Sequence, residues 1–491
     1  MKFYTNCQCI RSQIYLREVV NGKRVRRKVK YQPTLFLPSN DVSEKHKTLD
    51  GRPVSPMKFS SIREARDFVN SYKDVENFEI FGNTYYQYTF IGDEYSEHID
   101  YDISKLIICM IDIEVASSQG FPNVENANEE VIAITMKLND QYIVFGFRDD
   151  YVPKKDNISY FKCENEYELL SRFLDIWEKV SPDIITGWYI DDFDIPYLVN
   201  RIGRIFDEEQ VKRLSPWGWI KERKSFFKGK ERTTYDLVGI SSLDYIYLYQ
   251  KFAPKANQEN YKLNTIAHVE LDEKKISYDE YGNLYDLYLN HFEKFIDYNI
   301  KDVELIDKLE QKLKLIEMVV GVAYDAKVNY NDVFSQVRMW DTIIFNSLKK
   351  KGIVIPQKKS NVKKEQYAGA YVKIPKVGMH EWVVSFDLNS LYPHLIAQFN
   401  VSPEMIRPEF FKNVTVNGLL NQEYDLDYLK ENNITLAANG HHFAISEEGF
   451  LPEILMNMYN LRKTYKKKMI QSQKDLEAIE IEMKKRGMEL K

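Results

Sequence analysis

The chain has 491 residues, 44% hydrophobic and 29% charged, with a formal net charge of −5. This balance excludes a disordered chain, and the length calls for roughly two to four folded domains. Overall charge excludes a molecule that attracts nucleic acid through its net field, so any such contact must come from local basic stripes. Four cysteines, Cys7, Cys9, Cys109 and Cys163, include no C-x-x-C pair, so neither a disulfide framework nor a zinc site is expected. No signal peptide is expected. The most apolar run, Leu106 to Ile111, is too short to cross a bilayer, and a reducing cytoplasm is expected.

The first hundred residues read as mixed α/β. Cys7 and Cys9 alternate on a strand as packing residues. Asn21-Gly22 between two β-prone runs predicts a hairpin, and Ser61 to Tyr72 an amphipathic helix. From Leu106 three strands follow, LIICMIDIEV, VIAITM and YIVFGF. A helix over Glu166 to Val180 carries Leu169, Leu170, Phe173, Leu174 and Trp177 on one stripe. Ser181-Pro182 ends it, and DIITGW reads as another strand. Strands alternating with helices predict an α/β domain with a mixed sheet over 106–315, preceded by an N-terminal α/β domain over 1–105. Residues 316–359 form a helical bridge returning to that first domain. A strand at WVVSFD is expected from Trp382, then a turn and a helix at SLYPHLI. Residues 410–445 read as an irregular polar insertion. A long charged helix is expected from Pro452 to the end, with no Gly or Pro stop.

Positive charge is bunched in Lys23–Lys30 (KRVRRKVK), Lys221–Arg232 (KERKSFFKGKER) and Arg462–Lys468 (RKTYKKK). Such runs are solvated faces or phosphate-binding stripes. The 34 Tyr and 27 Phe are core residues in the plain reading and base-stacking platforms in the functional one.

Asp112-Ile113-Glu114 lies inside an apolar strand. Period-two alternation puts both carboxylates on one face, with Ile111 and Ile113 on the other. Adjacent buried carboxylates repel, and a hard divalent cation offsets the cost; a strand end reaching solvent is the alternative. Asp194, in WYIDDFDIPYL, sits where the chain turns into a helix, as an N-cap or as a ligand. In YNIKD, an i, i+4 spacing stacks Tyr298 above Asp302 on one helix face.

DIE, FDIPYL and YNIKD, in this order and at these separations, closely resemble the three exonuclease motifs of family B DNA polymerases, above all those of large tailed bacteriophages. The resemblance implies a ribonuclease H-like 3′→5′ exonuclease domain with a mixed sheet. In it Asp112, Glu114, Asp194 and Asp302 would hold two Mg²⁺ or Mn²⁺ ions, and Tyr298 would orient the attacking water. The family has Asn where this chain has Tyr189. Residues 226–241 resemble a hairpin that helps separate primer from template in the phage enzymes; an ordinary surface hairpin is the alternative.

FDLNSLYPH, from Phe386 to His394, resembles polymerase motif A. By that resemblance Asp387 would bind two metal ions, and the backbone at Ser390 and Leu391 would cradle the triphosphate of a dNTP. Tyr392 would lie under the sugar and exclude ribonucleotides, and Arg462 and Lys466 would grip the triphosphate from the fingers. Tyr367-Ala368-Gly369-Ala370 resembles the template-contacting linker motif. Residues 360–450 would then be a partial palm and 451–491 the first fingers helix.

The family also has a K-x-x-x-N-S-x-Y-G fingers helix, a D-T-D-S hairpin and a thumb, and none occurs here. Asp425 and Asp427 lie in the polar insertion, before the fingers helix. The expected protein is one half of a split replicative polymerase in the infected bacterial cytoplasm. A second polypeptide would supply the missing parts and the sliding-clamp contact. Primer-template DNA and a single-stranded 3′ end would be its substrates. A stand-alone exonuclease and a non-catalytic RNA- or DNA-binding regulator are the alternatives.

Overall fold

The computed structural model describes residues 1–117, 120–149, 151–227, 230–255, 257–358, 372–424 and 426–487. Its backbone packs as two compact units, Met1–Leu37 with Pro56–Lys350, and Pro38–Ser55 with Lys351–Lys491. None of the helices among the described residues is long and apolar enough to cross a membrane.

The first unit opens with an antiparallel sheet of β1 (Lys2–Ile10), β2 (Gln13–Val20) and β3 (Lys23–Val29). The β2–β3 turn is the expected one, with Asn21 and Gly22 both left-handed (φ 50° and 77°), the conformation that this residue pair favours. Cys7 is buried in β1, and all four cysteines are free. Short strands β4 (Thr34–Pro38), β5 (His46–Thr48) and β6 (Pro53–Lys58) come next in the chain, β5 lying in the segment that belongs to the second unit. Helix α1 (Ile62–Tyr72) starts where the sequence places it, because the Ser61 hydroxyl accepts the Glu64 amide. Helix α2 (Tyr86–Glu94) buries six of its nine residues.

A six-stranded mixed sheet is the centre of the unit. Strands β7 (Ile108–Val115), β8 (Val131–Leu138) and β9 (Gln141–Gly146) run antiparallel. Strand β10 (Ile158–Lys162), which periodicity does not reveal, extends β9 in parallel. Helix α3 (Glu166–Val180) has the expected bounds: Asn165 caps its start, and Ser181 ends it left-handed at φ 46°. The DIITGW strand is only β11 (Ile184–Thr186), parallel to β7. Gly187 and Trp188 belong to the turn beyond it.

Next come α4 (Asp194–Ile205), α5 (Glu208–Lys212) and the hairpin β12 (Ile220–Phe227) and β13 (Lys230–Leu237). The Lys228-Gly229 tip lies outside the described residues. Strand β14 (Ser241–Ser242) completes the sheet on β11. Helices α6 (Tyr245–Phe252), α7 (Leu263–Leu271), α8 (Leu284–Asn290), α9 (Phe292–Leu313), α10 (Leu315–Ala326) and α11 (Gln336–Lys350) close the unit, the last two being the expected helical bridge.

Two apolar cores flank the sheet. One holds Ile111 and Ile113 with Leu170, Phe173, Trp177 and Leu198. The other holds Met110, Phe295, Ile296 and Ile306 with the N-terminal strands. Asp183, fully buried, joins the two sheets. It accepts from the Thr5 hydroxyl (2.7 Å), the Ile107 amide (3.0 Å) and the guanidinium of Arg24. Two of the six cations in the KRVRRKVK run are therefore structural: Arg24 holds Asp183, and Arg27 holds Glu18 and Glu94.

In the second unit β15 (Ile353–Val354) pairs with β5. The strand expected at WVVSFD does not form. Residues 372–390 have no regular structure, and Trp382, Phe386 and Leu388 are 95%, 92% and 70% exposed. The pattern is apolar enough for a strand, but no described neighbour satisfies its backbone groups.

Helix α12 (Leu391–Phe399) follows Ser390 as expected. The polar insertion is more ordered than its composition implies. It contains α13 (Val416–Leu420), α14 (Leu426–Glu431) and the antiparallel pair β16 (Ile434–Leu436) and β17 (His442–Ala444). The long helix is α15 (Phe450–Lys485), 36 residues. Against the sequence expectation it ends at a glycine stop: Gly487 is left-handed at φ 67°.

Candidate active site

Strand β7 brings Asp112 and Glu114 to one face of the central sheet, the face covered by α9. Helix α9 supplies Tyr298 and Asp302 one turn apart. Asp112, Glu114 and Asp302 each offer a carboxylate oxygen, and the three lie within 4.8 Å of one another. Asp194 is the first residue of α4, and its Oδ1 accepts the amide of Ile113 at 3.0 Å. This bond pins the α4 N-terminus to the strand between the two β7 acids. The chain reaches that position only because Gly187 has no side chain: a Cβ there would lie 2.4 Å from the Ile111 carbonyl.

Electrostatics mark the site as incomplete without positive charge. Burial, then the neighbouring carboxylates Asp302 and Asp194, push Asp112 well above the ordinary carboxyl range. Burial and Asp302 raise Glu114 to about 8, and burial raises Asp194 to about 7. Asp302 also rises through burial, although the Lys275 ammonium opposes the shift. Its Oδ1 is buried with no hydrogen-bond partner. An orphaned carboxylate oxygen beside two further acids is a donor set suited to hard divalent cations.

Three contributors escape sequence reasoning. Lys275, from the segment after α7, pairs with Asp302 Oδ2 and lies 4.6 Å from the centre of the Tyr298 ring. Asn299, fully buried, donates from Nδ2 to Asp112 Oδ2 at 2.6 Å while its own oxygen accepts the Thr135 hydroxyl. Asp244 accepts the amides of Tyr189 (2.9 Å) and Asp191 (3.0 Å), fixing the turn that delivers Asp194. Only Asp244 leaves a sequence signal, as the N-cap of α6. A cavity of about 900 Å³ opens onto the group, lined among others by Asp112, Tyr189, Tyr261, Lys262, Lys274, Tyr298 and Asp302.

The motif A residues are not gathered in the same way. Asp387 lies in the exposed, irregular segment, and Tyr392 on α12 is 67% exposed. Ser390 is left-handed at φ 54° and precedes Leu391, the first residue of α12. Arg462 and Lys466 are exposed on α15, four residues apart. Helices α12 and α15 do pack together, through His394 and Tyr459 (ring centres 4.8 Å apart). Asn400 locks the start of α15 by donating to the carbonyls of Ala444 and Glu447 and accepting the Gly449 amide. The Tyr367–Ala370 motif and Asp425 lie outside the described residues; Asp427 is on α14.

Comparison with known proteins gives the family. Residues 54–266 match the model for the exonuclease domain of DNA polymerase family B, and residues 334–489 the model for DNA polymerase family B itself. The chain is 33% identical to the DNA-directed DNA polymerase of Enterobacteria phage T4, over 97% of this chain and 55% of that protein. It is 33% identical to that of Escherichia phage RB69, again over 97% and 55%. Similarity extends to the DNA polymerase delta catalytic subunit of Schizosaccharomyces pombe, 24% identical over 74% of this chain and 34% of that one. The chain belongs to family B of the DNA polymerases. It spans about half the length of the phage relatives that it matches.

Proposed function

We propose that this chain is the exonuclease-bearing N-terminal portion of a replicative DNA polymerase, acting as a 3′→5′ proofreading exonuclease. Its domain over 106–315 would be of the ribonuclease H-like type, after an N-terminal domain over 1–105 to which 316–359 return. The observation that carries the proposal is the convergence of Asp112, Glu114 and Asp302 within 4.8 Å, with Asp194 pinned beside them. These four would hold two divalent ions, Mg²⁺ or Mn²⁺. Bound there, the ions supply a hydroxide nucleophile and charge relief for in-line cleavage of the terminal phosphodiester. Asn299 keeps the Asp112 carboxylate turned toward the group. Tyr298 presents its hydroxyl beside Asp302, placed to orient a water. Lys275 pairs with Asp302 and offsets its charge.

For synthesis, Asp387 would hold the polymerase metals, and the backbone at Ser390 and Leu391 would cradle the dNTP phosphates. Tyr392 would sit under the sugar, and Arg462 and Lys466 on the first fingers helix (451–491) would grip the triphosphate. The partial palm (360–450) would be completed by a second polypeptide bringing the rest of fingers and palm, the thumb and the sliding-clamp contact. The two would act on primer-template DNA in the cytoplasm of an infected bacterium. One observation favours the narrower reading of a stand-alone exonuclease. The exonuclease carboxylates are assembled, whereas Asp387 lies in an exposed segment without regular structure.

The double variant Asp112→Ala, Glu114→Ala should lose Mg²⁺-dependent degradation of a single-stranded oligonucleotide; undiminished degradation places the ligands elsewhere. Mixing the chain with a polypeptide carrying K-x-x-x-N-S-x-Y-G and D-T-D-S should give primer extension. Failure of the mixture to extend would leave the narrower reading.

A further inference from the structure

Tyr189 stands in the turn between β11 and α4, five residues before Asp194. It is left-handed (φ 73°), a conformation that asparagine and glycine adopt readily and an aromatic residue rarely does. The turn does not need the side chain. Its geometry is held through the backbone, by Asp244 accepting the Tyr189 and Asp191 amides. Nor does the core need it, because Tyr189 is 44% exposed and, among the described residues, no other ring packs on it. A bulky residue kept in an unfavourable conformation, unused by fold or core, points to a use at the surface it lines.

That surface is the cleft of the candidate active site. Tyr189 shares the wall of the 900 Å³ cavity with Asp112, Tyr298 and Asp302, and with the exposed lysines Lys262 and Lys274. Carboxylates at the floor, cations along a wall and a free aromatic face suit a single-stranded polynucleotide end. The lysines meet phosphates and the ring meets a base. We propose that Tyr189 is a base platform, stacking on a nucleobase of the single-stranded DNA 3′ end so that its terminal phosphodiester rests at the carboxylates. Stacking recognises the π-face that all four bases share, as a site that must degrade any sequence requires. The inference rests on the exonuclease reading and adds to it a substrate-positioning residue.

The test uses the full chain and a single-stranded oligonucleotide with 2-aminopurine near its 3′ end, bound in Ca²⁺ without turnover. Wild-type protein and Tyr189→Phe should quench the probe on binding. Tyr189→Ala and Tyr189→Asn should lose the quench and bind about tenfold more weakly, the range for one lost base–aromatic stack. The Asn variant suits the left-handed turn and should melt no lower than wild type, which separates lost stacking from lost fold. Wild-type affinity and quenching in both the Ala and Asn variants would overturn the platform. If those variants behave as wild type while Asp112→Ala, Glu114→Ala abolishes degradation, only the platform fails. If the carboxylate variant still degrades DNA, the exonuclease reading itself fails.

Discussion

Asn299 is the residue on which the shape of the carboxylate group most depends, and replacing it with alanine is the sharpest test of that geometry. The side chain is fully buried and spans two partners, the Asp112 carboxylate at 2.6 Å and the Thr135 hydroxyl. With Asp112 held well above the ordinary carboxyl range, its bond to Asn299 is one to a neutral carboxyl and contributes about 0.5–1.5 kcal/mol, and a buried hydroxyl left without its acceptor costs about 1–3 kcal/mol. Asn299→Ala should therefore destabilise the metal-free protein by about 3 kcal/mol. Unfolding entropy of roughly 2.1 cal/mol/K per residue, over a unit of roughly 300 residues, converts that to a fall in Tm of about 4–5 °C. The released Asp112 carboxylate can rotate away from Glu114 and Asp302, so Mn²⁺ affinity should fall by about 10–100-fold, as for other residues that orient a ligand. Calorimetric melting in EDTA and Mn²⁺ titration by isothermal calorimetry measure the two effects. Thr135→Val, which removes only the outer bond, should show a smaller loss of both. An alanine variant with unchanged Tm and Mn²⁺ affinity within about twofold of wild type would refute the reasoning.

Two further outcomes follow from the charges. With their acids raised in the fold, Glu114 to about 8 and Asp194 to about 7, the metal-free protein is favoured while these groups are protonated. That stability is fully present below the ordinary carboxyl range and is lost as pH climbs through about 7–8. Divalent ions relieve the repulsion, so the Tm gain from Mg²⁺ or Mn²⁺ should grow from pH 5 to pH 8. At about 100-fold excess over Kd it should reach about 4 °C; a gain that shrinks with pH contradicts the assignment. Lys275→Met removes the ammonium paired with Asp302. It should lower the metal-free Tm by a few degrees and tighten Mn²⁺ binding, since an arriving ion no longer competes with a resident cation. Weaker Mn²⁺ binding by that variant would show that Lys275 supports the ions instead.

Much of this was legible in the sequence wherever local pattern decides structure. Ser61 and Asn165 fix helix starts through caps, Asn21-Gly22 fixes a hairpin through its φ preference, and the stripe from Leu169 to Trp177 fixes which side of α3 is buried. The carboxylates were legible for the same reason: strand alternation and helical i, i+4 spacing set their faces before any fold is known. Lys275, Asn299 and Thr135 were not, because each gains its meaning from a partner on another element. Asn299 and Thr135 are 164 positions apart, and nothing local distinguishes them from ordinary polar residues. The basic run over Lys23–Lys30 misleads in the opposite sense. Two of its six cations, Arg24 and Arg27, are spent on Asp183, Glu18 and Glu94, whose presence beside β3 no composition window can reveal.

The WVVSFD segment carries the same lesson to the second unit. A strand is not a local object: its hydrogen bonds are made by a neighbour, and its alternating apolar residues are buried by a layer that another part of the fold supplies. The exonuclease strand β7 has both, with β8 and β11 on its flanks and α4 and α9 over its faces. Residues 382–388 have the composition of a strand and, among the described residues, neither support, and so Trp382, Val383, Val384, Phe386 and Leu388 remain 70–95% exposed. Burying a side chain of this size is worth about 1.5–3 kcal/mol. The segment thus holds enough unused burial energy to fold onto a partner sheet, and Asp387 would be ordered with it. The carboxylates of β7 and α9 are organised by their own sheet, whereas the position of Asp387 depends on what covers the apolar residues around it.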